Sequence, residues 1–135
     1  MSKPRKLVYT TQIPIRWGDM DAYQHVNNTV YFRYAEQARV EWLEATGYTV
    51  LPQGKAPVVI NASCTFLLPM NYPGTVDLRL YCGAPGRSSF ETYYEMRLAG
   101  DDTLYCEGQA KVVWMDPATG KSVPIPDALR RLIEA

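Results

Sequence analysis

The chain has 135 residues, which suits one domain, residues 1–135, with a real hydrophobic core. Its 14 basic and 14 acidic side chains cancel, and neither sign forms a long run. Bulk charge therefore argues against a nucleic acid or an anionic membrane as main partner, while a small basic patch for one phosphate-bearing ligand stays open. The basic start, Met1-Ser2-Lys3-Pro4-Arg5-Lys6, runs into strand-like sequence rather than a continuous apolar segment, so no signal peptide is expected. No apolar stretch approaches the roughly 18 residues of a membrane helix. Cys64, Cys82 and Cys106 are odd in number, lack CxxC spacing and fall in strand-like runs. Buried free thiols and a cytoplasmic location are the expectation.

From Leu7 to Trp17 the chain is β-rich, with Pro14 pointing to an edge strand or a bulge. After the loop that follows, TVYFRYAEQARVEWLEATG predicts a helix. Tyr31, Ala35, Ala38, Trp42 and Ala45 recur at helical spacing, and Val30 and Tyr34 widen the apolar face. Asn27 or Asn28 can cap its start, and Gly47 stands where a C′ glycine belongs. Four alternating runs come next, each with one apolar face: Val58, Ile60, Ala62, Cys64, Phe66; Val76, Leu78, Leu80, Cys82; Phe90, Thr92, Tyr94, Met96, Leu98; and Leu104, Cys106, Gly108, Ala110, Val112, Trp114. Turn-like connectors join them at 71–74, 83–86 and 100–102. Another turn at 116–121 leads to a short final strand or extended segment, and 127–134 predicts a terminal helical turn. The class is α+β: a mostly antiparallel sheet of five to six strands, curved around one long helix. Its uncovered surface and edges invite a second copy.

The loop at residues 16–31, RWGDMDAYQHVNNTVY, gathers two carboxylates, the only histidine and two adjacent asparagines. A metal site would rest on His25, Asp19 and Asp21 alone, so no metal is expected. No G-x-S-x-G elbow exists, and Gly120-Lys121-Ser122 lacks the earlier glycine of a P-loop, Met115 standing there instead. What remains is a carboxylate beside a helix N-terminus. The first helical N–H groups lack intrahelical partners and can hold a developing oxyanion. A nearby Asp can serve as nucleophile or general base. The same residues also suit a helix cap, the commoner role of Asx residues before a helix.

The stretch WGDMDAYQHVNNTVYFRYAEQARVEWL resembles the signature of hotdog-fold acyl-CoA thioesterases, in the 4-hydroxybenzoyl-CoA thioesterase-like branch: D-x-D, then often G-H-V-N-N, then a helix-start tyrosine. The resemblance extends to F-L-L-P-M-N-Y-P-G at 66–74 and G-R-S-S at 86–89. It implies a hotdog fold and hydrolysis of an acyl thioester on coenzyme A. By position, Asp21 is the catalytic carboxylate, as nucleophile or general base, and the Asn28 backbone N–H is the oxyanion donor. Tyr31 shapes the pocket. His25 and Asn27 build the loop or touch the thioester. Asp19 reads as a structural hydrogen-bonding residue. Glu36 lies on the helix where other hotdog branches carry an acid, or is a carboxylate at a pocket or dimer edge. Arg87, Ser88 and Ser89 match the segment beside the coenzyme A phosphates, a role suited to a guanidinium with two hydroxyls, or Arg87 is a solvated charge. The resemblance implies a homodimer or homotetramer with a site between subunits, and no cofactor, coenzyme A being part of the substrate.

One departure stands out. The glycine common before H-V-N-N is Gln24 here, so positive φ at that position would reshape the loop or be borne as strain. Three alternatives accompany the acyl-CoA thioesterase reading. An acyl-carrier-protein thioesterase differs only in the carrier. A hotdog dehydratase or hydratase of hydroxyacyl thioesters, separable by crotonyl-CoA hydration, fits this spacing poorly. A non-catalytic acyl-thioester binding module would bind without turnover.

Overall fold

The alternating runs pair into one antiparallel sheet in the computed structural model, which describes residues 4–48 and 54–134. The first three residues of the basic N-terminal segment lie outside the described residues. The elements follow as β1 (Arg5–Pro14), α1 (Asn28–Ala45), β2 (Ala56–Phe66), β3 (Thr75–Gly83), β4 (Ser89–Leu98), β5 (Cys106–Asp116), β6 (Lys121–Ser122) and α2 (Asp127–Ile133). The six strands are ordered β1-β3-β4-β5-β2, with β6 paired to β5. This leaves β1 and β2 as edges. Pro14 closes β1, where a residue without an N–H costs no ladder bond.

The inward faces of β3, β4 and β5 fall where alternation places them. Val76, Leu78, Leu80 and Cys82, then Phe90, Thr92, Tyr94 and Met96, then Cys106, Ala110, Val112 and Trp114 are all buried. Fully burying a Leu or Met side chain contributes roughly 1.5–3 kcal/mol. Against this face α1 presents Tyr31, Tyr34, Ala35, Ala38, Trp42 and Leu43, with Trp42 set edge-on to Phe90 at 6.1 Å between ring centroids. The Asn27 side chain accepts from Thr29 N–H at the N-terminus of α1, and Gly47 takes φ 94° beyond its C-terminus. Both are the expected caps. Leu129 and Ile133 of α2 complete the core.

Two boundaries and one strand face differ from those read in the sequence. β1 ends at Pro14, because the Asp19 carboxylate accepts from Arg16 N–H and winds Trp17–Asp19 into a 3-10 turn. Leu104 precedes β5 rather than starting it. In β2 a bulge falls at Ile60: Val59 faces Val112, and the next pair is Asn61 with Lys111. The extra residue shifts the alternation. Val58 and Ile60 therefore do not share the face of Ala62, Cys64 and Phe66; Val59 takes the inward position beside buried Val112.

Candidate active site

The DMDAYQHVNN loop is tied down by backbone bonds at every turn. Gln24 N–H donates to Asp21 O at 2.9 Å, and Asp21 N–H donates to His25 O at 3.0 Å, closing a tight reversal. Val26 N–H reaches Met70 O at 2.8 Å, and Asn27 N–H reaches Asp19 O at 3.0 Å. The reversal forces Gln24 to φ 63°, the left-handed region where glycine is at ease. The departure from glycine is thus borne as backbone strain.

Asp19 anchors the loop from beneath. Its buried carboxylate accepts from Arg16 N–H at 3.0 Å, Arg16 Nε at 3.2 Å and Tyr34 Oη at 2.7 Å. Burial pushes its acidity the other way, but these donors outweigh it and hold the carboxyl below its ordinary range. The Tyr34 phenol is pushed up, first by burial and then by that carboxylate. Asp19 is a hydrogen-bonding hub.

Asp21 is oriented differently. Its Oδ1 accepts from Tyr23 N–H at 2.9 Å, and its Oδ2 from Asn27 Nδ2 at 3.3 Å. Asn27 meanwhile caps α1, its Oδ1 accepting from Thr29 N–H at 2.9 Å and from Thr29 Oγ1 at 2.7 Å. One side chain therefore couples the helix N-terminus to the carboxylate. Asn27→Ala should cost about 0.5–2 kcal/mol of stability through the lost cap, measured by urea denaturation. An unchanged midpoint would contradict this capping role.

Asn28 opens α1, so its N–H is among those that the helix leaves without a partner. Asp21, His25, Asn28 and Tyr31 line one open cavity of about 410 Å³, walled further by Phe66, Leu67, Leu68 and Pro69. Tyr31 is buried and set edge-on to Phe66 at 4.9 Å between centroids. Burial raises its phenol, partly offset by a hydrogen bond to the Met70 backbone. Asp21 also borders a second depression, between Trp17, Met20, Gln24 and Tyr72.

The ring of His25 is held by Asn71. The amide nitrogen of Asn71 donates to Gln24 O and lies 3.2 Å from His25 Nδ1. One Asn71 side chain therefore ties the Gln24 carbonyl and the His25 ring together. The sequence alone gave Asn71 no role. It sits inside F-L-L-P-M-N-Y-P-G, where an Asn before Tyr-Pro-Gly reads as a turn residue, and its partner is 46 positions away.

Glu36 and the 87–89 segment lie elsewhere. Glu36 is exposed, pairs with Arg33 at 3.1 Å and borders a separate cavity of about 190 Å³ between α1 and the sheet, with Arg39, Trp42, Val59 and Phe90. Ser89 stands opposite Val113, the partner of Val58, whereas Met96 stands opposite Cys106, the partner of Phe66. At about 3.3 Å per residue, Ser89 and Met96 are roughly 23 Å apart along β4. Arg87, Ser88 and Ser89 therefore sit at the far end of the sheet from Asp21 of the same chain. Among the described residues, no three His, Cys, Asp or Glu side chains gather as metal ligands would.

The family model described as the thioesterase-like superfamily matches residues 15–133, nearly the whole chain and all of this site. The chain belongs to that superfamily. The PA2801 protein from Pseudomonas aeruginosa, a thioesterase by assignment, shares 42% identity with this superfamily member, at a TM-score of 0.91 over 93% of this chain and 98% of that one. A protein of Aquifex aeolicus (strain VF5), described as an esterase by assignment, is 27% identical over 100 residues, 68% of this chain and 78% of its own length. The 1,4-dihydroxy-2-naphthoyl-CoA thioesterase Slr0204 from Synechocystis, at 18% identity and a TM-score of 0.85 over 92% and 93% of the two chains, shows shared fold alone. The architecture is the hotdog fold.

Proposed function

We propose that this protein hydrolyses acyl-CoA thioesters to a free acid and coenzyme A, with the curved sheet wrapping α1 as the central helix. The observation that carries the reading is that an oriented carboxylate, Asp21, and the first residue of α1, Asn28, line the same cavity. As the thioester carbonyl is attacked, charge grows on its oxygen. The partly positive helix N-terminus favours that charge, and the free N–H of Asn28 is the donor that meets it. Asp21 supplies the attack, directly or by taking a proton from water; both routes end in the same products. His25 stands at the cavity wall, its ring held by Asn71. The apolar side chains of Tyr31, Phe66, Leu67 and Leu68 suit the acyl group.

The site is completed by a second copy. β2 is an edge whose Val58, Val59 and Ile60 are 42%, 40% and 55% exposed, an apolar edge strand of the kind that proteins ordinarily cover. Pairing β2 antiparallel with itself about a two-fold axis sets the Val58 end of one chain beside the Phe66 end of the other. Arg87, Ser88 and Ser89 of one chain thereby approach the Asp21 cavity of its partner, where a guanidinium and two hydroxyls suit the coenzyme A phosphates. Light scattering at micromolar concentration should give a dimer or a tetramer; monomer alone would overturn the shared site. Arg87→Ala should raise KM for CoA esters several-fold with kcat little changed, since a phosphate contact is alike in ground and transition states. An unchanged KM would return Arg87 to the solvated surface.

A further inference from the structure

Gly108 of β5 stands opposite Cys64 of β2 on one side and Tyr94 of β4 on the other. Because glycine has no side chain, the neighbours fill the space above it. There Cys64 Sγ lies 3.3 Å from Cys106 Sγ and 3.4 Å from Tyr94 Oη. The two sulfurs are in contact and unbonded. Phe66, paired with Cys106 across the ladder, carries the ring that meets Tyr31, so this cluster lies directly behind the wall of the Asp21 cavity. We propose that Cys64 and Cys106 form a peroxide-reactive dithiol that closes reversibly into an intramolecular disulfide.

Three features support this site beyond proximity. First, Cys64 is half-buried in the single chain, whereas Cys106 beside it is fully buried, so Cys64 is the one of the two that an oxidant meets first. Second, the Cys64 thiol is held below the usual thiol range: the hydrogen bond from Cys106 lowers it most, burial opposes, and Tyr94 helps. The Tyr94 hydroxyl donates to Ser63 O at 2.9 Å, and its one proton can turn to a thiolate instead. The other ionisable groups around the pair are Tyr31 and Arg39 on α1 and Glu107 on β5. Third, the pair joins the neighbouring strands β2 and β5, so a bond between them reinforces a ladder that already holds both. Cys82 is the internal contrast, buried alone with its thiol pushed up to about 12.

The chemistry balances with hydrogen peroxide as oxidant. The Cys64 thiolate attacks one peroxide oxygen, the O–O bond breaks and hydroxide leaves, giving a sulfenic acid. The Cys106 sulfur then attacks the Cys64 sulfur; the S–S bond forms, the S–O bond breaks, and the departing hydroxide takes the Cys106 proton as water. A dithiol such as dithiothreitol reverses the step.

The test is read by mass and does not depend on the thioesterase reading. The full-length protein is treated with hydrogen peroxide near neutral pH, alkylated and mapped by peptide mass. Two thiols of the three should be lost as one Cys64–Cys106 linked peptide within a single chain, with Cys82 alkylated and dithiothreitol restoring all three. Cys106→Ser should instead leave a Cys64 sulfenic acid trapped by dimedone, and Cys64→Ala should leave Cys106 free. Retention of all three thiols, over-oxidation of Cys64 beside an untouched Cys106, or linkage only between chains would each overturn the proposal.

Discussion

Asp21→Asn should lower kcat by about 10²–10⁴-fold, the usual worth of a general base, and by more if the carboxylate is the nucleophile. The substitution nearly preserves shape, and an amide oxygen can still accept from Tyr23 N–H as the carboxylate does. The fold and the affinity for a non-hydrolysable thioester analogue should therefore survive. An amide is a very poor base and nucleophile, so the loss belongs to the chemical step. If Asp21 only orders the loop, Asn should replace it almost without penalty, because both residue types serve equally well in such turns. A variant retaining more than about a tenth of wild-type kcat would sink the assigned role, since a removed base costs far more. His25→Ala should cost less than Asp21→Asn if the imidazole only braces the loop.

Gly108→Ala should destabilise the protein by about 1–3 kcal/mol or more, as overpacking of a filled core does. A Cβ built on Gly108 falls under 3.0 Å from the Ser63 carbonyl oxygen and from the ring of Tyr94. Neither can retreat cheaply. Ser63 O is backbone of β2 and accepts the Tyr94 hydroxyl, and the Tyr94 ring is fully buried among core side chains. The methyl group must push β2 off β5 or eject the ring. Gly120→Ala makes a useful comparison, because nothing lies within 4 Å of a Cβ there and the cost is only that of positive φ. Urea denaturation measures both; a shift below about 0.5 kcal/mol for Gly108→Ala, within surface-like tolerance, would show that the close approach is not sustained.

What the sequence made legible is what is local. The helix announced itself through 3.6-residue spacing, a capping asparagine and a C′ glycine, and β3 to β5 through alternation with one face mostly polar. β2 misled because Val58, Val59 and Ile60 are all apolar, so neither face is marked and the bulge at Ile60 leaves no trace in the pattern. Asp21, His25, Asn27 and Asn28 come together because a short loop meets a helix start, a geometry written within eight residues. The far wall of the cavity, Phe66 to Pro69, and the Asn71 clasp on His25 depend on a loop more than 35 positions away, and no local pattern encodes that contact. Arg87, Ser88 and Ser89 were legible only through resemblance, and one chain alone holds them at the opposite end of the sheet.

Hydrolytic turnover is the central claim, and a panel of aromatic and aliphatic acyl-CoA thioesters, read continuously by free-thiol release and repeated with acyl-carrier-protein thioesters, tests it most directly. The account predicts catalytic release of coenzyme A with at least one acyl group, many turnovers per site, and little or none with Asp21→Asn. Binding of these thioesters at stoichiometric levels, with no thiol released beyond the uncatalysed rate from any member of either panel, would contradict it.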